Sequence, residues 1–229
     1  FTCGHVVDPS RVLLQSLTAV GGTTIDVRHK TRSSLAVTTA IGQAILRLCQ
    51  CVPHGVVVFL PSYKYESILV DAWKKMNVTS KTNAATNSIW NLLEDVTTLI
   101  REPKHASQVE STLARYSKFA TKSSRGACLL SVVGGKLSEG INFADDLCRC
   151  VVVVGLPYAD RSDPLLQEKL KLVANSSSSS SNNSTIGTVP TAAVAAQNYY
   201  RSLCLRAVNQ SVGRAIRHAN DRATIILMD

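Results

Sequence analysis

Apolar residues fall along this chain in short unbroken runs, separated by longer stretches with helical spacing. Val56–Leu60, Ala127–Val133, Cys150–Val154 and Ala223–Met228 are rich in β-branched residues and too short for buried helices. Pro61, the pair Gly134-Gly135 and Gly155 close the first three. That pattern predicts buried strands, each ending in a loop. Between them, Ser34–Cys51 and Lys64–Met76 have helical periodicity, and Ser62 stands where it can cap the second. Val96–Arg101 is predicted as a short strand. Ser107-Gln-Val-Glu110 has the form of a capping box, opening a helix to about Lys118. A helix starts at Pro164 behind Asp163, and another runs from about Ala192 through Ile216. Strands alternating with helices predict an α/β fold, a parallel sheet with helices on both faces.

Two stretches break the rhythm. Residues 174–191 contain Asn175-Ser-Ser-Ser-Ser-Ser-Ser-Asn-Asn-Ser184, with no apolar side chain to offset the entropy of ordering. We read this as a disordered low-complexity insertion. Residues 79–98 are read as a second, weaker surface insertion. The rest, 1–229, is taken as one domain.

In sheets of this kind, ligands sit beyond the carboxyl ends of the strands. Ser62, Tyr63 and Lys64 fall there, a hydroxyl, an aromatic ring and an ammonium suited to a nucleic-acid backbone. So do Lys136 and Ser138, in the loop Gly134-Gly-Lys-Leu-Ser-Glu-Gly-Ile-Asn-Phe143. Ordinary cap, turn and surface roles account for the same residues equally well. A third segment is Gln210-Ser-Val-Gly-Arg-Ala-Ile-Arg217. Read as helix, it puts Gln210, Arg214 and Arg217 on one face. Forked, permanently charged guanidiniums suit phosphate oxygens and phosphoryl transfer. The alternative is a basic face at a helix end.

Charge and cysteine content refine this. A net charge of +9, from 25 Lys and Arg against 16 Asp and Glu, favours a polyanionic partner without separating DNA from RNA. No apolar run reaches the ~18 residues that a membrane-spanning helix needs. The seven cysteines include Cys49-Gln-Cys51 and Cys148-Arg-Cys150, and within a strand Cys148 and Cys150 would share a face. Neither pair has usual zinc spacing, so we read them as buried thiols and expect no metal ligands here. An odd cysteine count without a leader pattern points to a reducing, intracellular compartment.

Taken in order, these segments resemble the second RecA-like motor domain of superfamily 2 helicases. FLPSY is similar to helicase motif IV, GGKLSEGINF to motif V and QSVGRAIR to motif VI. FTCGHVV, REPKHASQVE and AVNQSVGRAIRH further resemble the chromosome-loss (ChlR-type) DNA helicases of the XPD-like branch. The resemblance leaves out residues 79–98 and 174–191. It implies a helicase C-terminal domain that couples ATP hydrolysis to translocation on single-stranded DNA and unwinding of forked DNA, with 5′-to-3′ movement. It further implies a nuclear location and a role in repair and sister-chromatid cohesion. Arg214 and Arg217 would be arginine fingers. Gln210, Gly213, Gly140 and Asn142 would sense nucleotide, while Ser62, Tyr63, Lys64, Lys136 and Ser138 would hold DNA. At Asn142 many relatives carry Asp; Asn keeps the hydrogen bonds and loses the charge.

All of this belongs to the C-terminal half of such a motor. No G-x-x-x-x-G-K-[ST] loop occurs, since Gly135-Lys136 is followed by Leu137, and no Asp-Glu-Ala-His run occurs. The chain is therefore expected to be part of a longer protein. ATP and Mg2+ would be shared with a first RecA-like domain, and a 4Fe-4S cluster would lie only in that other half. An RNA helicase motor domain and a non-catalytic nucleic-acid-binding module stay open as alternatives.

Overall fold

The valine-rich runs are the middle strands of a six-stranded, all-parallel sheet, as a computed structural model describing residues 7–79, 86–137, 143–179 and 191–229 places them. The strands are β1 (Val12–Leu17), β2 (Gly55–Leu60), β3 (Thr98–Arg101), β4 (Ala127–Val132), β5 (Cys150–Val154) and β6 (Ala223–Met228). Their spatial order is β1-β6-β5-β2-β4-β3. Leu60 lies opposite Val132, and Val56 opposite Cys150. Every residue of β2, β4 and β5 is buried, as continuous apolar runs covered on both faces require.

Alternation along these strands builds two core layers. Val56, Val58, Leu60, Cys128, Leu130, Cys150, Val152 and Val154 point into one. Helices α1 (Leu35–Cys51), α2 (Tyr63–Lys75) and α3 (Ile89–Val96) cover it, with Ile41, Leu69, Trp73 and Leu93 reaching in. Val57, Phe59, Ala127, Leu129, Val151 and Val153 point into the other. There they meet Tyr116 and Ala120 of α4 (Val109–Lys122), together with Leu137, Phe143 and Ala215. The second layer is thus roofed partly by the two loops that carry the candidate chemistry. Serines start three of the helices: Ser34, Ser62 and Ser88 accept from the N–H groups of Val37, Tyr65 and Asn91 at 3.4, 3.2 and 3.1 Å.

The fold divides into two compact units where the sequence reads as one: Phe1–Leu156 with Gln210–Asp229, and Pro157–Asn209. The second unit holds α5 (Pro164–Ser179), and α6 (Ala192–Val212) begins in it. Asp163 caps α5 as expected, accepting from Leu165 N at 2.9 Å. Within this unit Tyr158 stacks on Tyr200 at 5.2 Å between ring centroids.

Several expectations need correcting. The stretch 79–98 is not wholly a surface insertion: a short hairpin pairs Asn77–Thr79 with Thr86–Ser88, and Ile89 and Leu93 of α3 are fully buried. The serine tract begins as helix, because α5 runs through Ser176–Ser179. Once nucleated, a helix extends at one hydrogen bond per residue, which outweighs serine's small propensity cost. The capping box does not form. A 3-10 turn at Ala106–Gln108 takes up Ser107, and α4 opens at Val109 with no side-chain cap and continues to Lys122. Cys148 and Cys150 do not share a face. Cys148 precedes β5 and packs in the second layer, while Cys150 packs in the first. Finally, α6 stops at Val212 rather than Ile216.

Candidate functional site

At the carboxyl ends of β2, β3 and β4 the chain gathers a polar corner. Ser62 follows β2 in extended conformation, and its hydroxyl caps α2. Tyr63 opens that helix and donates from its phenol to Glu102 Oε1 at 2.5 Å. Burial, and then that hydrogen bond, raise the phenol above its ordinary range, so it stays a donor at neutral pH. Glu102 follows β3 and is 8% exposed. Its Oε2 accepts from Ser131 Oγ at 2.6 Å and Val132 N at 2.8 Å, and its Oε1 also from Leu137 N at 3.2 Å.

The two glycines in the next loop have distinct reasons. Gly134 is left-handed at φ 69°, and a Cβ on Gly135 would lie 2.3 Å from Glu102 Oε1. Lys136 is exposed; its N–H points to the Tyr63 hydroxyl at 3.4 Å and its ammonium donates to the Lys104 carbonyl. Lys64, directly after Tyr63 on α2, is exposed. Behind the corner, Glu66 and Arg101 pair through two hydrogen bonds of 2.5 and 2.8 Å, which raise the guanidinium's pKa further. The structure thus brings Ser62, Tyr63, Lys64 and Lys136 to one end of the sheet. Ser138, Gly140 and Asn142 lie outside the described residues.

The arginine segment is built differently from its sequence reading. Gln210 is exposed on the last turn of α6, but the chain leaves the helix after Val212. Gly213 is exposed at the rim of a cavity of about 300 Å3 whose lining includes Val12, Ile216 and Ile225. Ala215, fully buried in the second core layer, holds the turn down, and its N–H bonds to Val212 O at 3.1 Å. Gln210, Arg214 and Arg217 therefore do not share a helical face. In exchange, the turn meets the end of the Gly134–Phe143 loop: Phe143 N donates to Arg214 O at 3.2 Å.

Asp221, fully buried, fixes the far side of the turn. It accepts from Arg217 N at 3.2 Å, Arg222 N at 2.9 Å and the Arg149 guanidinium at 3.2 Å. Arg149 also binds Asp146 at 2.9 Å. Both Arg149 and Asp221 precede strands, so Arg217 lies by the amino ends of β5 and β6. The candidate residues accordingly form two groups at opposite ends of the sheet.

Sequence reasoning misses Glu102 and Asp221. The one local signal for Glu102 is a charged pair, Arg101-Glu102, directly after an apolar strand. Asp145, His218 and Asp221 offer ligand atoms within 4.8 Å of one another, the one such group among the described residues. Asp145 already faces His218 Nε2 at 3.1 Å, and Asp221 is taken up by three donors. In this arrangement the three side chains close the turn by hydrogen bonding.

Residues 45–229 match the family described as "Helicase C-terminal domain". The chain belongs to that family. Over its whole length this helicase C-terminal domain is 38% identical to "ATP-dependent DNA helicase CHL1" of Scheffersomyces stipitis, covering 26% of that protein. It is 40% identical to "ATP-dependent DNA helicase DDX11" of Danio rerio, covering 24%. The domain thus spans about a quarter of the length of these curated relatives. Its fold is that of a solved structure titled "XPD_Helicase", with a TM-score of 0.57 and 20% identity over 95% of this chain and 31% of that one. It also matches "Structure of S. tokodaii Xpd4", with a TM-score of 0.55 and 16% identity over 96% and 34%. The expected helicase C-terminal fold and the likeness to the chromosome-loss helicases are both found.

Proposed function

We propose that this chain is the second motor domain of an ATP-dependent DNA helicase whose first motor domain lies elsewhere in the same protein. The observation that supports this most is the backbone contact between Phe143 and Arg214, which joins motif V to the arginine turn. DNA is favoured over RNA because the relatives at 38–40% identity are named DNA helicases.

On this reading, ATP supplies the γ-phosphoryl group whose transfer to water drives the cycle. The chain's own part is to present Arg214 and Arg217 to phosphate oxygens. Their backbone is held in advance by Phe143 and Asp221, so little reorganisation is needed when charge develops. Gln210 borders the same turn, and Gly213, Gly140 and Asn142 complete the nucleotide side. ATP and Mg2+ would be shared with the first motor domain. A 4Fe-4S cluster belongs to that other half.

At the opposite end of the sheet, Lys64 and Lys136 offer ammonium groups, and Tyr63 a ring, to single-stranded and forked DNA. The Tyr63 hydroxyl is committed to Glu102, so its ring serves DNA rather than its hydroxyl. Movement would be 5′-to-3′ and the location nuclear. The deciding measurement is ATP hydrolysis by the full-length protein with Arg217→Ala. A fall of about 10³-fold with unchanged melting is expected, the scale of a lost arginine finger. Near-normal turnover in the folded variant would overturn the assignment. Arg214→Lys should also be harmful, because an ammonium cannot replace the fork.

A further inference from the structure

We propose that Glu102 is a positioning residue that holds Tyr63 and the Gly134–Leu137 loop in the arrangement that receives single-stranded DNA. This rests on the nucleic-acid reading of that corner. A carboxylate offers about four hydrogen-bond sites, and here the donors that fill them come from three separate segments. Tyr63 Oη belongs to the start of α2, Ser131 Oγ and Val132 N to the end of β4, and Leu137 N to the loop carrying Lys136. These are segments bearing motif IV and motif V, brought to one anion by a residue of neither. Among the described residues no cation pairs with Glu102, so neutral donors alone balance its charge.

The fit leaves no slack. Gly135 approaches so closely that a single added carbon would lie 2.3 Å from Oε1. Lys136 N leans on the same Tyr63 hydroxyl that donates to Glu102. The sheet itself does not depend on this tie, because β3 and β4 are paired from Thr98↔Ala127 to Arg101↔Leu130. Glu102 is buried and does not present itself to DNA. What it fixes are groups that do, and contacts ordered beforehand bind more tightly than contacts ordered on arrival. Removing the charge leaves four donors competing for a poorer acceptor.

The test uses the full-length protein. ATP hydrolysis is followed against the concentration of a single-stranded oligodeoxythymidine for wild type, Glu102→Gln, Tyr63→Phe and the double variant. Glu102→Gln should raise the half-saturating DNA concentration about tenfold or more, the scale of a lost hydrogen bond to a charged group. Turnover at saturating DNA should change far less, a split that general destabilisation would not produce. Tyr63→Phe should move the half-saturation point in the same direction. The double variant should be no worse than Glu102→Gln, because both changes cut one tie.

An unchanged half-saturation point in folded Glu102→Gln overturns the proposal, as does strict additivity in the double variant. If Glu102→Gln does not fold, an unchanged value in Tyr63→Phe overturns it instead. Fluorescence anisotropy of the labelled oligonucleotide gives the same ratios as Kd without any ATP turnover. A wild type that binds DNA but hydrolyses no ATP would therefore sink the motor reading and still leave this inference decided by Kd.

Discussion

Asp221 shows how much one buried carboxylate can organise. It has no solvent exposure and receives Arg149, Arg217 N and Arg222 N, so it ties the arginine turn to the foot of β5. Asp221→Ala leaves the mostly buried Arg149 guanidinium with Asp146 and the Arg222 carbonyl but without its buried carboxylate partner. The expected loss is about 3 kcal/mol, the low end for breaking a buried pair. Thermal unfolding of the full-length protein measures it. ATP hydrolysis should fall beyond what the lost stability explains, because Arg217 loses its backbone anchor. Neither this carboxylate nor Glu102 is legible in the sequence. The partners of Glu102 lie 39, 29 and 35 residues away at Tyr63, Ser131 and Leu137, and only the sheet brings them within reach.

Among elements, the central strands are the most legible, because a strand buried on both faces has to be apolar at every position, and the runs at 55–60 and 150–154 are. Helix α3 is not. It has eight residues behind a polar lead, and Ile89 and Leu93 alone mark its buried face. Leu93→Ala should cost about 2–5 kcal/mol, read as a lowered melting temperature, if α3 is core rather than insertion. The end of α6 is equally hidden. Gln210 to Arg217 would continue a helix but for Gly213, and what decides the matter is Ala215 sinking into a core formed by Phe143 and Leu137. Local propensity cannot foresee a contact with a loop 70 residues earlier in the chain. Ser62, Tyr63, Lys64 and Lys136 could be placed correctly because they follow strands whose ends were already visible, whereas the shared face of Gln210, Arg214 and Arg217 fails with the helix that was to carry it.

For the whole molecule, the excess of positive charge matters through how much of it reaches phosphate. Lys136 is exposed at the corner and its ammonium rests only on a backbone carbonyl, that of Lys104, which DNA phosphate can outcompete. If it makes one phosphate contact, Lys136→Ala in the full-length protein should flatten the slope of log K against log salt by about 0.7, the share of one contact on single-stranded DNA. An unchanged slope would place Lys136 off the DNA path.

The place of β6 in the sheet bears on how the chain acquires its shape during synthesis. Among the described residues β1 bonds to no strand except β6, and β6 is also the partner that closes the open side of β5. It leaves the ribosome roughly 200 residues after β1, which at ~5–20 residues per second is about 10–40 s. Through that interval the first strand waits with a bare edge, and the growing sheet waits with another. A nascent chain cut short of Ala223 is therefore not a smaller version of the domain but one with a gap through it, open to mispairing on both sides. Cellular quality control would have its longest view of this sheet just before β6 arrives.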